Sequence, residues 1–116
     1  PNIHVASLTP NGQAMVRDPE IGTQLRIPVA AEKVVLILNL ASSTSFPGYR
    51  LSIRLGAETG KEVWNSEQLR PVEPGVFTVE FERDFLPPNR YRFELSGIEG
   101  DERTRLASYT VELIYD

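Results

Sequence analysis

The chain has 116 residues, a formal net charge of −4 at neutral pH and no cysteine. This length suits one domain with a hydrophobic core that needs no metal or disulfide support. The acidic balance disfavours nucleic-acid binding through phosphate contacts, and the lack of cysteine excludes disulfides, thiolate nucleophiles and thiolate metal ligands. No apolar run approaches the ~20 residues of a membrane-spanning helix, so we expect no direct membrane insertion by this segment.

A period of two residues dominates the hydrophobic pattern, which is typical of β-strands with one buried face. The first two predicted strands, Ile3–Leu8 and Thr23–Val29, have weak patterns, and Pro28 in the second suggests a sheet edge or a bulge. Lys33–Leu40 is apolar on both faces for part of its length, which favours a central strand covered on both sides. Alternation then predicts strands at Tyr49–Leu55, Val76–Glu82, Arg90–Leu95 and Ser108–Tyr115, with Glu62–Asn65 as a short edge strand.

Turn-forming residues separate these segments at 10–12, 45–48, 58–60, 73–75, 87–89 and 97–101. No window has the pattern of an amphipathic helix. The sequence therefore predicts an all-β fold, an antiparallel immunoglobulin-like Greek-key β-sandwich of seven to eight strands formed by residues 1–116. A jelly roll or a carboxypeptidase-regulatory-like sandwich fits much of the same pattern. Because the sequence begins at Pro1 rather than at a methionine, we expect it to be a piece of a longer protein.

The segment from Phe85 to Leu95 predicts a tyrosine corner at Tyr91. A leucine and two prolines lead into a strand whose first inward residue is Tyr91, as in Greek-key sandwiches where a tyrosine hydroxyl bonds back to the upstream backbone. Antibody domains have a cysteine two residues later. Phe93 occupies that position here, so we expect an apolar contact in place of an inter-sheet disulfide.

The residues that could support catalysis or metal binding are few. His4 is the only histidine, and a triad needs a buried, oriented imidazole, whereas we expect a solvated side chain in an edge strand. The tip Glu99–Glu102 offers oxygen ligands for calcium but lacks the spacing of a dedicated loop. Four glutamates fall on outward strand positions where arginines also occur, which favours cross-strand ion pairs: Glu80, Glu82, Glu94 and Glu112. We therefore predict no catalytic residue, no metal and no cofactor.

Trp64 is the only tryptophan and has two candidate roles. A tryptophan at this position is expected to pack against the core with its indole N–H satisfied. The alternative is an exposed ring that stacks on a sugar or anchors a partner protein.

The chain from Tyr49 onward resembles a group of bacterial extracytoplasmic β-sandwich domains. The shared segments are 49–53 (YRLSI), 60–64 (GKEVW), 86–97 (LPPNRYRFELSG) and 109–111 (YTV). Family members commonly have glycine where this chain has Asn89. Such domains recur in membrane-anchored regulators of the anti-sigma-factor type, after a zinc-finger segment and one membrane helix. The resemblance implies a periplasmic or cell-surface location, a membrane anchor outside this segment, and a role in sensing or protein interaction.

Three functions follow as hypotheses. The first is a non-enzymatic sensory or protein-interaction domain of an extracytoplasmic bacterial protein, which presents a sheet edge or loop tips to a protein partner. The second is a carbohydrate-binding module that uses Trp64. The third is an accessory domain of a secreted enzyme whose catalysis lies elsewhere.

Overall fold

The computed structural model describes residues 3–8, 23–40, 46–56 and 60–115, and these residues form eight strands and no helix. The predicted turn at 10–12 and parts of those at 45–48 and 58–60 lie outside the described residues. The strands are β1 (Ile3–Leu8), β2 (Thr23–Ile27), β3 (Lys33–Asn39), β4 (Gly48–Leu55), β5 (Glu62–Ser66), β6 (Val76–Glu82), β7 (Arg90–Glu99) and β8 (Glu102–Tyr115).

Every strand expected from the alternation is present, and the largest differences concern the last two. β7 and β8 extend toward each other and form one long hairpin with a tip at Gly100, whose φ of 63° lies in the left-handed region that glycine adopts without strain. β2 ends at Ile27, directly before Pro28, and is an edge strand of its sheet, as the position of that proline indicated.

The strands form two mixed sheets. One has the order β1-β3-β6 and the other the order β2-β8-β7-β4-β5. The expectation of a wholly antiparallel fold was wrong at two edges, because β1 pairs with β3 and β2 pairs with β8 in parallel. Neither pair is joined by a hairpin, and only a tight hairpin forces neighbouring strands to be antiparallel.

The inner faces of both sheets contribute to one hydrophobic cluster. Fully buried side chains include Leu36 and Phe77 from the three-stranded sheet and Leu51 and Phe93 from the five-stranded sheet. The rings of Tyr49 and Phe77 meet between the sheets, with centroids 4.8 Å apart. This all-β arrangement of two sheets around a common core fits a β-sandwich.

β3 is the middle strand of its sheet, as its sequence indicated. Val34, Leu36 and Leu38 have no exposed surface. Val35 and Ile37 on the opposite face are only half-buried. The described residues therefore bury one face of β3 fully and the other only in part, whereas the sequence predicted burial on both faces.

A glycine in β7 allows an aromatic ring to lie directly on the sheet. A Cβ atom at Gly97 would lie 2.5 Å from the ring of Phe46, a distance that real structures do not tolerate. Gly97 pairs with Tyr49 across the strands, and the rings of Phe46 and Tyr49 are 6.1 Å apart in an edge contact. The ring of Phe46 thus covers a glycine that would otherwise leave a gap in the sheet.

Candidate interaction site

The connection between β6 and β7 is held by two tyrosine hydroxyls. Tyr91 is 2% exposed, and its hydroxyl donates a hydrogen bond of 2.6 Å to the carbonyl of Pro87, four residues upstream. Burial raises the pKa of Tyr91. The hydroxyl of Tyr115 donates to the adjacent carbonyl of Leu86, also at 2.6 Å. Tyr91 therefore has the geometry of a tyrosine corner, with Tyr115 as a second support.

Replacing Tyr91 with phenylalanine should lower the free energy of unfolding by about 1 kcal/mol, the usual net value of one hydrogen bond. The ring stays in the core and only the bond to Pro87 is lost. The measurement is a urea titration, in which the midpoint should fall while the slope of the transition stays constant. An unchanged midpoint would show that this corner does not depend on the hydroxyl.

Arg83 links the turn before β3 to the connection after β6. Its guanidinium donates hydrogen bonds to the carbonyls of Pro28 and Ala31. The same group lies over the ring of Tyr115, 5.0 Å from the ring centroid, a distance at which a cation and an aromatic face attract each other. Arg83 thereby connects three parts of the chain that are distant in sequence.

The outer face of the five-stranded sheet carries paired charges. Glu94 is 8% exposed, and its carboxylate lies 3.2 Å from Arg54, 3.2 Å from Arg92 and 3.5 Å from Arg105. A buried carboxylate requires such partners because it has lost its hydration. Three arginines on one carboxylate indicate a structural role for Glu94.

A second carboxylate on this face is held by neighbours of opposite charge and by a hydroxyl. Ser52 donates a hydrogen bond of 2.6 Å to Glu62, and Arg50 lies 2.8 Å from the same oxygen. The Ser52 hydrogen bond and the Arg50 charge lower the pKa of Glu62 against the opposing effect of its partial burial. Glu94 thus forms an ion pair with Arg54 of the neighbouring strand, as the sequence suggested. Glu62 of β5, which was not among the predicted residues, forms a similar pair with Arg50 of β4.

The remaining candidates for chemistry lie apart from one another. His4 is half-buried in the edge strand β1, opposite the fully buried Val34, and is therefore less exposed than expected. The tip Glu99–Glu102 is exposed. In the described ranges, no three side chains of histidine, cysteine, aspartate or glutamate are grouped so that they could hold a metal ion.

Trp64 lies at the boundary between the core and an open groove. It pairs with Ile53 across the strands and is half-buried against the hydrophobic cluster. Its ring meets that of Phe85 at 90°, with centroids 6.5 Å apart. Phe85 in turn contacts Phe81, at 6.3 Å between centroids, and is 48% exposed. The exposed ring of Phe85 therefore lies between the half-buried ring of Trp64 and the buried ring of Phe81.

These rings line a groove of about 920 Å³ between β5, an edge strand of one sheet, and β6, an edge strand of the other. This volume lies within the usual range of ligand-binding clefts. Apolar walls come from both sheets, and the charged residues at the groove are four acids and two bases. The lining residues are Val29, Ala31, Glu32, Lys33, Ile53, Trp64, Val79, Glu80, Phe81, Glu82, Arg83, Asp84 and Phe85.

Sequence reasoning selected Trp64 but missed its partner Phe85. The signal was present, because Phe81 and Phe85 flank the turn that leads into the predicted tyrosine corner. The sequence did not indicate that β5 lies next to this turn, because β5 belongs to one sheet and the turn follows β6 of the other.

Within the described part of the chain, no helix has the length and apolar character to cross a membrane. A scan against protein-family models finds no match to this chain, and a search of curated proteins finds no significant match.

Proposed function

We propose that this chain is a non-enzymatic protein-interaction domain of immunoglobulin-like type, part of an extracytoplasmic bacterial regulator with a sensory role. The observation that carries the proposal is the aromatic groove at Trp64 and Phe85, which opens between two sheet edges. Aromatic anchors in a cleft with a polar rim are the usual centres of protein recognition. The bacterial and extracytoplasmic parts of the proposal rest on the resemblance of residues 49–111.

The immunoglobulin-like assignment is supported by the order of strands. In constant-type immunoglobulin domains the second and fifth strands pair in one sheet, and the third, sixth and seventh pair in the other. If the edge strands β1, β2 and β5 are left out of the comparison, β3 and β6 correspond to the former pair. β4, β7 and β8 then correspond to the latter group. The corner at Tyr91 lies at the start of β7, where the immunoglobulin fold has its tyrosine.

The test is site-specific photocrosslinking in cells of the source organism. A photoreactive phenylalanine analogue at position 85, which is 48% exposed in the groove, should form a covalent adduct with a protein of the periplasmic or surface fraction. The same analogue at Glu102, an exposed position at the β7–β8 tip, is the matched control and should give no such adduct. Absence of a protein adduct at position 85 would contradict the proposal.

The half-buried ring of Trp64 at the groove also favours a second candidate, carbohydrate binding. Because Trp64 is the only tryptophan, its fluorescence reports directly on the groove. Saccharides that quench it saturably, together with no protein adduct at position 85, would support the carbohydrate-binding module instead. An accessory role in a secreted enzyme requires no particular function of Trp64 or Phe85, and its test is whether the same gene also encodes a catalytic domain.

A further inference from the structure

We infer that the groove receives an extended segment of the partner protein, which adds to the free edge of β6 as an extra β-strand. This inference rests on the proposed function and specifies the chemistry of the partner. β6 is the last strand of its sheet, and in an antiparallel pairing alternate backbone groups point away from the neighbour. At the start of this edge, the carbonyl of Val76 accepts a hydrogen bond of 2.8 Å from the backbone N–H of Val72. Along the rest of the edge, no strand of the described residues lies beside β6. Main-chain hydrogen bonds to such an edge are an established mode of peptide recognition.

The inner face of β6 determines which side chains the partner strand should have on the side that faces the groove. Val79 and Phe81 are buried and line the groove, with Trp64 and Phe85 across from them. Directly opposite residues of paired strands lie on the same face, so every second side chain of the added strand enters the groove. Those positions should be apolar.

The outer face of β6 determines the intervening positions. Glu80 and Glu82 are exposed there, and Asp84 follows at the groove rim. Glu80 forms a surface ion pair of 3.1 Å with Lys33, whereas Glu82 and Asp84 have no ion pair within the described residues. Because opposite charges on paired strands attract, lysine or arginine should occupy the intervening positions of the partner.

The same charges argue against a second copy of this chain as the occupant. Two β6 edges paired antiparallel would place the glutamates of one copy beside those of the other. Like charges directly opposite each other destabilise a strand pair. The occupant is therefore a segment of a different protein in which apolar and basic residues alternate.

The experiment uses a capped peptide of about eight residues, an ordinary strand length, in which lysine or arginine alternates with valine or isoleucine. Two control peptides have the same sequence but are N-methylated at every second residue, one at the odd-numbered and the other at the even-numbered positions. Because successive N–H groups of a strand point to opposite edges, each control peptide lacks the hydrogen-bond donors of one edge only. We expect the unmodified peptide to change the fluorescence of Trp64 and to slow amide exchange in β6. One of the two N-methylated peptides should bind at least about tenfold more weakly, because it loses several main-chain hydrogen bonds to β6, while the other should bind nearly as well as the unmodified peptide. Equal binding of both N-methylated peptides, or unchanged exchange in β6, would overturn the inference.

A charge reversal tests the basic positions. Glu82→Lys should weaken peptide binding about tenfold at low salt, whereas Glu102→Lys, which changes the net charge equally at the remote β7–β8 tip, should weaken it less than about twofold. Equal effects of the two variants would show that only the net charge matters and would overturn the charge assignment. A dimer whose β6 amides are protected without peptide would identify a second copy as the occupant and would also overturn it.

The two proposals fail in distinguishable ways. No peptide binding, with protein adducts still formed at position 85, would overturn strand addition and leave the protein-interaction function standing. Absence of both would overturn both.

Discussion

Replacing Phe93 with alanine should cost about 3–5 kcal/mol of folding free energy, the usual range for deleting a fully buried aromatic ring. Phe93 has no exposed surface, and it lies on β7 between Ile53 of β4 and Tyr109 of β8, which are each 1% exposed. Two sheet neighbours and the opposite sheet would all face the resulting cavity. Since a domain of this size is stable by only about 5–15 kcal/mol, the variant should lose a large part of its stability. Urea unfolding measures this as a lower midpoint at constant slope.

Phe85→Ala is the matched control for this prediction, because it removes the same ring from a position that is 48% exposed. We expect it to cost about 1 kcal/mol or less, since half of the ring is already in water. It should instead impair recognition at the groove. Similar losses of stability in the two variants would mean that Phe93 is not a central contact of the core.

The strands were predictable because their signal is local. Alternation of apolar and polar residues over a few positions requires no knowledge of the partner strand, and Val76–Glu82 appears with the bounds that the pattern gives. The hydrogen bond of Tyr91 to Pro87 is equally local, since it spans four residues. The hairpin extension of β7 and β8 was less visible because Arg103 and Arg105 interrupt the apolar alternation there.

The pairing of the edge strands and the groove could not be predicted in this way. β2 pairs with β8 in parallel, so that Thr23 lies beside Val111. The residue pattern of neither segment indicates which strand it pairs with or in which direction. The groove likewise joins Trp64 to Phe85 across the space between two sheets. Both features depend on contacts between residues that are far apart in sequence, and the residue pattern of one strand does not contain that information.

The groove is the consequence of how the two sheets end. β5 has five residues and continues the larger sheet at its edge, whereas β6 ends the smaller sheet. Exposed sheet edges are usually protected by charge, and Glu80 and Glu82 meet that need on the outer face of β6. Phe81 on the inner face and Phe85 in the connection that follows β6 both line the groove. An edge that is protected against self-association yet retains an aromatic groove is suited to a partner of opposite charge.

Alkaline conditions should destabilise the fold steeply because three tyrosines keep their protons in the folded state. Burial raises the pKa of Tyr109 far above its ordinary value of about 10, and burial is also the main cause of the raised pKa of Tyr91 and Tyr115. Each hydroxyl donates to a backbone carbonyl, that of Tyr109 to Asn39 at 2.7 Å between the two sheets, and a tyrosinate has no proton to donate.

Whether stability rises or falls with pH follows from the number of protons that the folded and unfolded chains bind. Below pH ~10 both states are protonated, and the contribution of these tyrosines to stability is complete. Above pH ~10 the unfolded chain loses protons that the folded chain retains, so the free energy of unfolding falls by up to about 1.4 kcal/mol per pH unit for each such tyrosine. The loss continues until the pH passes the raised pKa values of the folded state.

Tyr109→Phe isolates the largest of these contributions. At neutral pH the variant should be less stable by about 1 kcal/mol, because the hydrogen bond to Asn39 is lost. Above pH ~10 its stability should decline less steeply than that of the native chain, by up to about 1.4 kcal/mol per pH unit. Urea midpoints at a series of pH values give both slopes, and tyrosinate absorbance shows whether ionisation accompanies unfolding. The lysines titrate equally in both proteins and cancel in the comparison, so identical slopes would contradict a buried, protonated Tyr109.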